Sequence, residues 1–213
     1  MKKNILISTF FLFCSSILLA QTTDKDEANN SKIDFVVIPK MGFGRIFQSN
    51  QPSLNGFVNG GDILVSFKLN KSSFISTGIG YTEFNANQTI FGNAASLKNT
   101  YLHFPVNYTS NYTFFKSKTD SDKVLLSIGI GLYGNNLFKQ EVETVDGNFS
   151  EKNVGWNIGF STYLGIKFNV SDMMNIGVGM ETNNDWTKIK KDGESQKIDN
   201  LTTLNLTLGY RIK

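Results

Sequence analysis

A strict two-residue alternation of side-chain character runs through almost the whole chain from Ile33 onward, and it leaves few folds open. In residues 154 to 168 the even positions are Val154, Trp156, Ile158, Phe160, Thr162, Leu164, Ile166 and Phe168. The odd ones are Gly155, Asn157, Gly159, Ser161, Tyr163, Gly165 and Lys167. Successive side chains of a strand point to opposite faces, so this is a strand with one oily face and one small or polar face. The last run repeats it, with Leu204, Leu206, Leu208, Tyr210 and Ile212 against Asn205, Thr207, Gly209 and Arg211. The first does the same, with Phe35, Val37, Pro39, Met41 and Phe43 against Asp34, Lys40, Gly42 and Gly44. Five further runs, around Ile63, Ile79, Phe104, Ile130 and Val178, bring the number to eight.

Each run is long enough for a tilted strand to cross a bilayer, which takes ~9 to 11 residues. Stretches 48–59, 85–98, 136–153 and 183–200 read as long loops, 70–72 and 169–172 as tight turns, and 111–122 as intermediate. Short turns at one end and long loops at the other are the habit of outer-membrane barrels, and an even strand number puts both termini at the short-turn end. Alternation alone also fits a soluble barrel turned inside out. The glycines decide between them. Gly42, Gly44, Gly78, Gly80, Gly129, Gly131, Gly159, Gly177 and Gly179 all fall on the polar faces. Inside a narrow eight-stranded barrel they make room for Tyr101, Tyr133, Tyr163, Lys40 and His103, whereas on a water-facing strand they would only weaken it. Aromatic residues near the ends of the oily faces, such as Phe43, Tyr81, Tyr108, Trp156 and Phe168, suit interfacial girdles.

The N-terminus agrees with export. Lys2 and Lys3 precede an apolar run from Ile5 to Leu19 that ends at Ala20 and polar Gln21, which reads as a signal peptide over residues 1–20. Residues 21–32 are polar and carry no large apolar side chain, as in a flexible leader. Residues 33–213 then form one all-β unit, an eight-stranded antiparallel up-and-down transmembrane β-barrel. The lone cysteine, Cys14, belongs to the signal segment, so no disulfide or cysteine metal site is expected in the mature chain. The chain carries 21 basic and 18 acidic residues, and removal of Lys2 and Lys3 leaves 19 against 18. Such balance does not suggest a nucleic-acid partner, and none is expected.

The segment Tyr101-Leu102-His103-Phe104-Pro105-Val106 resembles the proline-containing strand of the small PorT-like outer-membrane β-barrel proteins of Bacteroidetes. The glycine-spaced strands at Ile128 to Leu132 and Ile176 to Met180, and the ending Leu208-Gly209-Tyr210-Arg211, fall in the same order. The resemblance implies the barrel fold, a place in the cell outer membrane, and passage through the barrel-insertion machinery during assembly. Such chains commonly end in an aromatic residue, whereas this one ends in Ile212-Lys213, with Tyr210 the nearest aromatic.

No catalytic constellation stands out. His103 is the only histidine, so neither a Ser-His-Asp triad nor a two-histidine metal site can form within one chain. Its bland reading, a hydrogen-bonded filler, outweighs a catalytic one. Lys40, Asp62, Lys68, His103, Lys167, Glu181 and Arg211 all fall on inward positions and carry both signs, which favours a paired interior network over a charged channel. Arg45 and Glu83 fall on the outward face near the strand ends, as markers of the membrane boundary. Pro39 and Pro105 are expected at bulges or strand ends, because proline cannot donate to the ladder. The expectation is a non-enzymatic barrel without cofactor or metal, surrounded by outer-membrane lipid, presenting loops or docking an envelope protein partner. The alternative is a narrow diffusion pore for small solutes, and a membrane-embedded hydrolase relying on His103 is weaker.

Overall fold

The computed structural model describes residues 33–49, 52–70, 72–90, 93–116, 123–145, 147–171, 173–191 and 193–212. The expected signal peptide, the leader and Cys14 lie outside the described residues. The strands are β1 (Ile33–Gln48), β2 (Leu54–Lys68), β3 (Ser73–Ile90), β4 (Asn93–Lys116), β5 (Lys123–Thr144), β6 (Gly147–Asn169), β7 (Met174–Asp185), β8 (Ile189–Lys191) and β9 (Glu194–Ile212). Each of β1 to β6 pairs antiparallel with the next, β7 pairs with β9, and β9 returns to β1. That last pairing closes eight staves into a barrel, with β8 a short extra strand on the edge of β9.

The facing of the staves is the one the alternation predicts for a membrane barrel. Trp156 is 61% exposed and Leu164 56%, although both are among the oiliest residues of β6, while Asn157 is 1% exposed and Ser161 5%. Leu204, Leu206 and Leu208 point out of β9 and Asn205 points in. The outward set, from Phe35 and Met41 on β1 round to Val178 and Met180 on β7, makes one continuous oily belt. At the terminal end the β2–β3 and β6–β7 turns are tight. In the β2–β3 turn Asn70 Oδ1 accepts hydrogen bonds from the backbone N–H of Ser72 and Ser73 at 3.0 and 2.9 Å.

The far end differs from the expected long loops. Strands β4, β5 and β6 run for 24, 22 and 23 residues. A 24-residue strand is ~80 Å long, far beyond an apolar band about 25 Å tall even when tilted. Stretches 48–59, 85–98, 136–153 and 183–200 are therefore largely strand, and the turns between them are short. The reason lies in a reversal of polarity. Along β3 the outward residues Ile79 and Tyr81 give way to Glu83, Asn85 and Asn87, and the inward Gly78, Gly80 and Thr82 give way to Phe84 and Ala86. The sides keep their directions while their chemistry swaps, because the strand has left hydrocarbon for water.

The barrel thus has two tiers. In the membrane tier polar groups fill the interior. In the outer tier Ile46, Leu54, Val58, Phe84, Leu97, Tyr101, Leu137, Val154, Ile189, Ile198 and Leu201 form a buried apolar core. Val154, which the alternation puts on the oily outer face beside Trp156, instead points into this core. Asn153 at φ 54° and Gly155 at φ 156° reset the facing between them.

Pro39 and Pro105 sit inside strands rather than at their ends, and each falls where one ladder is interrupted. The β1–β9 register passes from Val37↔Leu208 to Lys40↔Asn205, skipping Pro39. The β3–β4 register passes from Thr77↔Val106 to Gly80↔His103, skipping Pro105. The missing donors are thus absorbed without a break in the stave.

Candidate functional site

The interior of the membrane tier is built from short polar side chains around one ionic centre. The period-two direction of β1, β2 and β7 brings Lys40, Asp62 and Glu181 to the barrel axis. Lys40 Nζ stands 2.5 Å from Asp62 Oδ2 and 2.8 Å from Glu181 Oε2, and all three residues are buried. Glu181 also accepts hydrogen bonds from Asn183 Nδ2 at 3.1 Å and Asn205 Nδ2 at 2.8 Å. Among the described residues no well-aligned hydrogen bond reaches the Asp62 carboxylate, so the Lys40 ammonium is its compensation.

His103 lies in the same half of the barrel, where its Nδ1 donates to Asn135 Oδ1 at 2.7 Å and its ring tilts against Tyr133 at 5.0 Å. These contacts are those of a packed filler. Among the described residues no group of three or more His, Cys, Asp or Glu side chains is placed to hold a metal ion.

The single interior network expected from the sequence resolves into two levels. Arg211 pairs with Asp34 at 3.2 Å near the terminal mouth, six residues along β1 from Lys40 and so ~20 Å away along the strand. Lys167 belongs to this lower level, with its ammonium 5.5 Å from the centre of the Phe74 ring. Lys68 lies at the same end, opposite Phe74 beside the β2–β3 turn, but takes part in no ion pair among the described residues. A cavity of about 90 Å³ lies between the levels, lined by Ser66, Ser76, Asn111, Ser127 and Lys167 among others.

Above the ionic centre a clamp was not legible in the sequence. Asp185, in a stretch that reads as loop, accepts from Tyr133 Oη at 2.8 Å, from the Ile198 N–H at 2.6 Å, and from Asn157 Nδ2. It ties β5, β6, β7 and β9 together where the polar interior meets the apolar core. The signal for it is the inward series 181, 183, 185, which continues the β7 alternation past the point where the outward face turns polar. Tyr133 reaches Asp185 only because β6 offers no side chain beneath it. A Cβ on Gly159 would lie 2.4 Å from the Tyr133 hydroxyl and 2.4 Å from the Asn184 carbonyl oxygen. Gly159→Ala is expected to destabilise the barrel by ~1–3 kcal/mol, the range for overpacking. A lowered urea midpoint would register it, and an unchanged midpoint would mean that the approach is loose.

At the outer edge of the belt, charges and aromatics alternate. Arg45 pairs with Asp199, and Lys98 pairs with Glu83 at 2.9 Å, with the Tyr81 hydroxyl on the same carboxylate. Phe104 stacks on Trp156 and Phe160 on Trp186, each at 5.6 Å between centroids. Arg45 and Glu83, the two charges expected to mark the membrane boundary, are both held in ion pairs.

A closed antiparallel barrel with an oily belt, aromatic rims and a polar interior is a transmembrane β-barrel of the outer-membrane type. Such a belt needs hydrocarbon around it, and this places the protein in an outer membrane, with both described chain ends at one end of the barrel. No protein-family model matches the chain, and no curated protein matches it. Among solved structures it is similar to Neisserial surface protein A, at 13% identity and TM-score 0.48 over 84% of this chain and 97% of that one. The attachment invasion locus protein of Yersinia pestis, in complex with a heparin analogue, is similar at 13% identity and TM-score 0.42, over 85% and 99%. The N-terminal β-barrel domain of Pseudomonas aeruginosa OprF gives 12% and 0.41, over 85% and 100%. At these values the likenesses say nothing of this chain's role.

Proposed function

We propose that this protein is a non-enzymatic, non-conducting barrel of the cell outer membrane that works through its outer tier, docking a partner of the cell envelope or surface. The observation that carries this reading is the occluded interior. The Lys40 centre crosses the axis of the membrane tier, and the apolar core from Ile46 to Leu201 packs the tier above it. A narrow diffusion pore would need a wetted path through both. What the barrel offers instead is a four-stranded extension of β3 to β6. The β2 pairing of β3 ends at Asn85 and the β7 pairing of β6 ends at Gly159, while β3 runs on to Ile90 and β6 starts at Gly147. Near its tip Val145 is 73% exposed and Phe149 64%. Membership of the PorT-like family, supported by the Tyr101 to Val106 strand, belongs to the same reading.

In planar bilayers the purified protein is expected to be electrically silent; steady channel conductance that changes with Lys40→Ala would establish the pore instead. A photo-crosslinker in place of Phe149 should capture a defined envelope protein in intact cells, and capture of none would count against docking.

A further inference from the structure

The rim of the barrel is not uniformly charged. On the β3 to β6 side Lys98, Lys139 and Lys152 are matched by Glu83, Glu141 and Glu143, with Lys98–Glu83 at 2.9 Å and Lys139–Glu141 at 2.7 Å. On the β1, β8 and β9 side five cations, Arg45, Lys188, Lys190, Lys191 and Lys197, meet two acids, Glu194 and Asp199, among the described residues. Arg45 and Lys197 share Asp199, and Lys191 pairs with Glu151. Lys188 and Lys190 are exposed and take part in no ion pair among the described residues.

Their height is fixed by the neighbours. Phe43 is the last belt residue of β1, and Phe47 faces the same way four residues further out, ~13 Å along the strand and less along the membrane normal. Lys188 lies across Phe47 with its ammonium 4.5 Å from the ring centre. Two residues before it, exposed Trp186 stacks on belt residue Phe160, the position of an interfacial anchor. The Lys188 ammonium therefore sits in the headgroup layer, where a lysine stem lies on apolar surface and its charge meets lipid phosphate.

We infer that the sector formed by Lys188, Lys190 and Arg45, above Phe47 and Trp186, is a docking surface for the phosphate of an anionic lipid headgroup in the outer leaflet. It rests on the outer-membrane placement and adds a preferred lipid and a preferred side of the barrel. The carboxylate beside Arg45 keeps that residue secondary; Lys188 and Lys190 supply the net charge.

Spin-label spectroscopy on the full barrel separates the two claims. The protein is reconstituted in phosphatidylcholine vesicles with trace spin-labelled phosphatidylglycerol or spin-labelled phosphatidylcholine, and the motionally restricted fraction of each is measured. Restricted lipid of both kinds reports the belt, and its absence for both would overturn the membrane placement itself. Phosphatidylglycerol is expected to be selected severalfold over phosphatidylcholine at low salt. The selection should fall towards unity in the Lys188→Gln/Lys190→Gln double variant and in high salt, because exposed charges are screened. The Lys98→Gln variant on the opposite side should keep it. Equal restriction of the two lipids, or an equal loss in Lys98→Gln, overturns the proposal. If inorganic phosphate suppresses the selection more than chloride of equal ionic strength, the sector takes free anions, and the lipid assignment falls.

Discussion

Replacing Lys40 with alanine is expected to destabilise the barrel by ~3–5 kcal/mol, the cost of leaving a buried ion-pair network with one sign uncompensated. The sign follows from the geometry. Lys40 is the shared cation of Asp62 and Glu181, and both carboxylates remain buried when it goes. Glu181 would keep the amides of Asn183 and Asn205, but Asp62 would lose its compensation. A triple variant, Lys40→Met with Asp62→Asn and Glu181→Gln, removes all three charges and should recover most of the loss. Urea unfolding in lipid vesicles, followed through the fluorescence of Trp156 and Trp186, would show both effects. A Lys40→Ala loss below ~1 kcal/mol would mean that water reaches the centre, and would revive the conducting reading.

The second large effect belongs to the outer tier. Leu137→Ala is expected to cost ~2–5 kcal/mol, because a side chain with no exposed surface leaves a cavity that stiff strands cannot collapse. Leu132 on the same strand is 51% exposed on the belt. There lipid chains fill the space, and the same truncation should cost below ~1 kcal/mol. Finding the two substitutions equal would show that the extension is a set of loops rather than a core.

These two leucines also mark what a sequence can disclose. Leu132 stands in the apolar face of a run that alternates in one sense, and its direction was legible together with those of Trp156, Phe160 and Leu206. Leu137 stands five residues on, where the inward side becomes the oily one and a bulge between Leu137 and Lys139 shifts the phase. A reader following one polarity sees the alternation end and assigns a loop. Asp185 was lost in the same way, just past the reversal on β7, whereas Val154 was read as strand but on the wrong face, beside the facing switch at Asn153. The inward charges were legible one by one, since direction needs only the period. Their grouping was not, because which of them share a level depends on register between staves, and Arg211 meets Asp34 across the β1–β9 closure that no local pattern encodes.

The outer core draws residues from every stave except β7, and from β8 as well. It can assemble only after the hairpins have been carried across the bilayer, for its members come from β1 at one end of the chain and β9 at the other. Once closed, it is wedged on the far side of the membrane from the route of entry. Pulling any hairpin back would tear Ile46, Phe84 or Leu137 out of a dry interior before a single belt contact was lost. The outer tier thus acts as a catch: withdrawal of a hairpin requires that core to open first, which slows the loss of the inserted barrel.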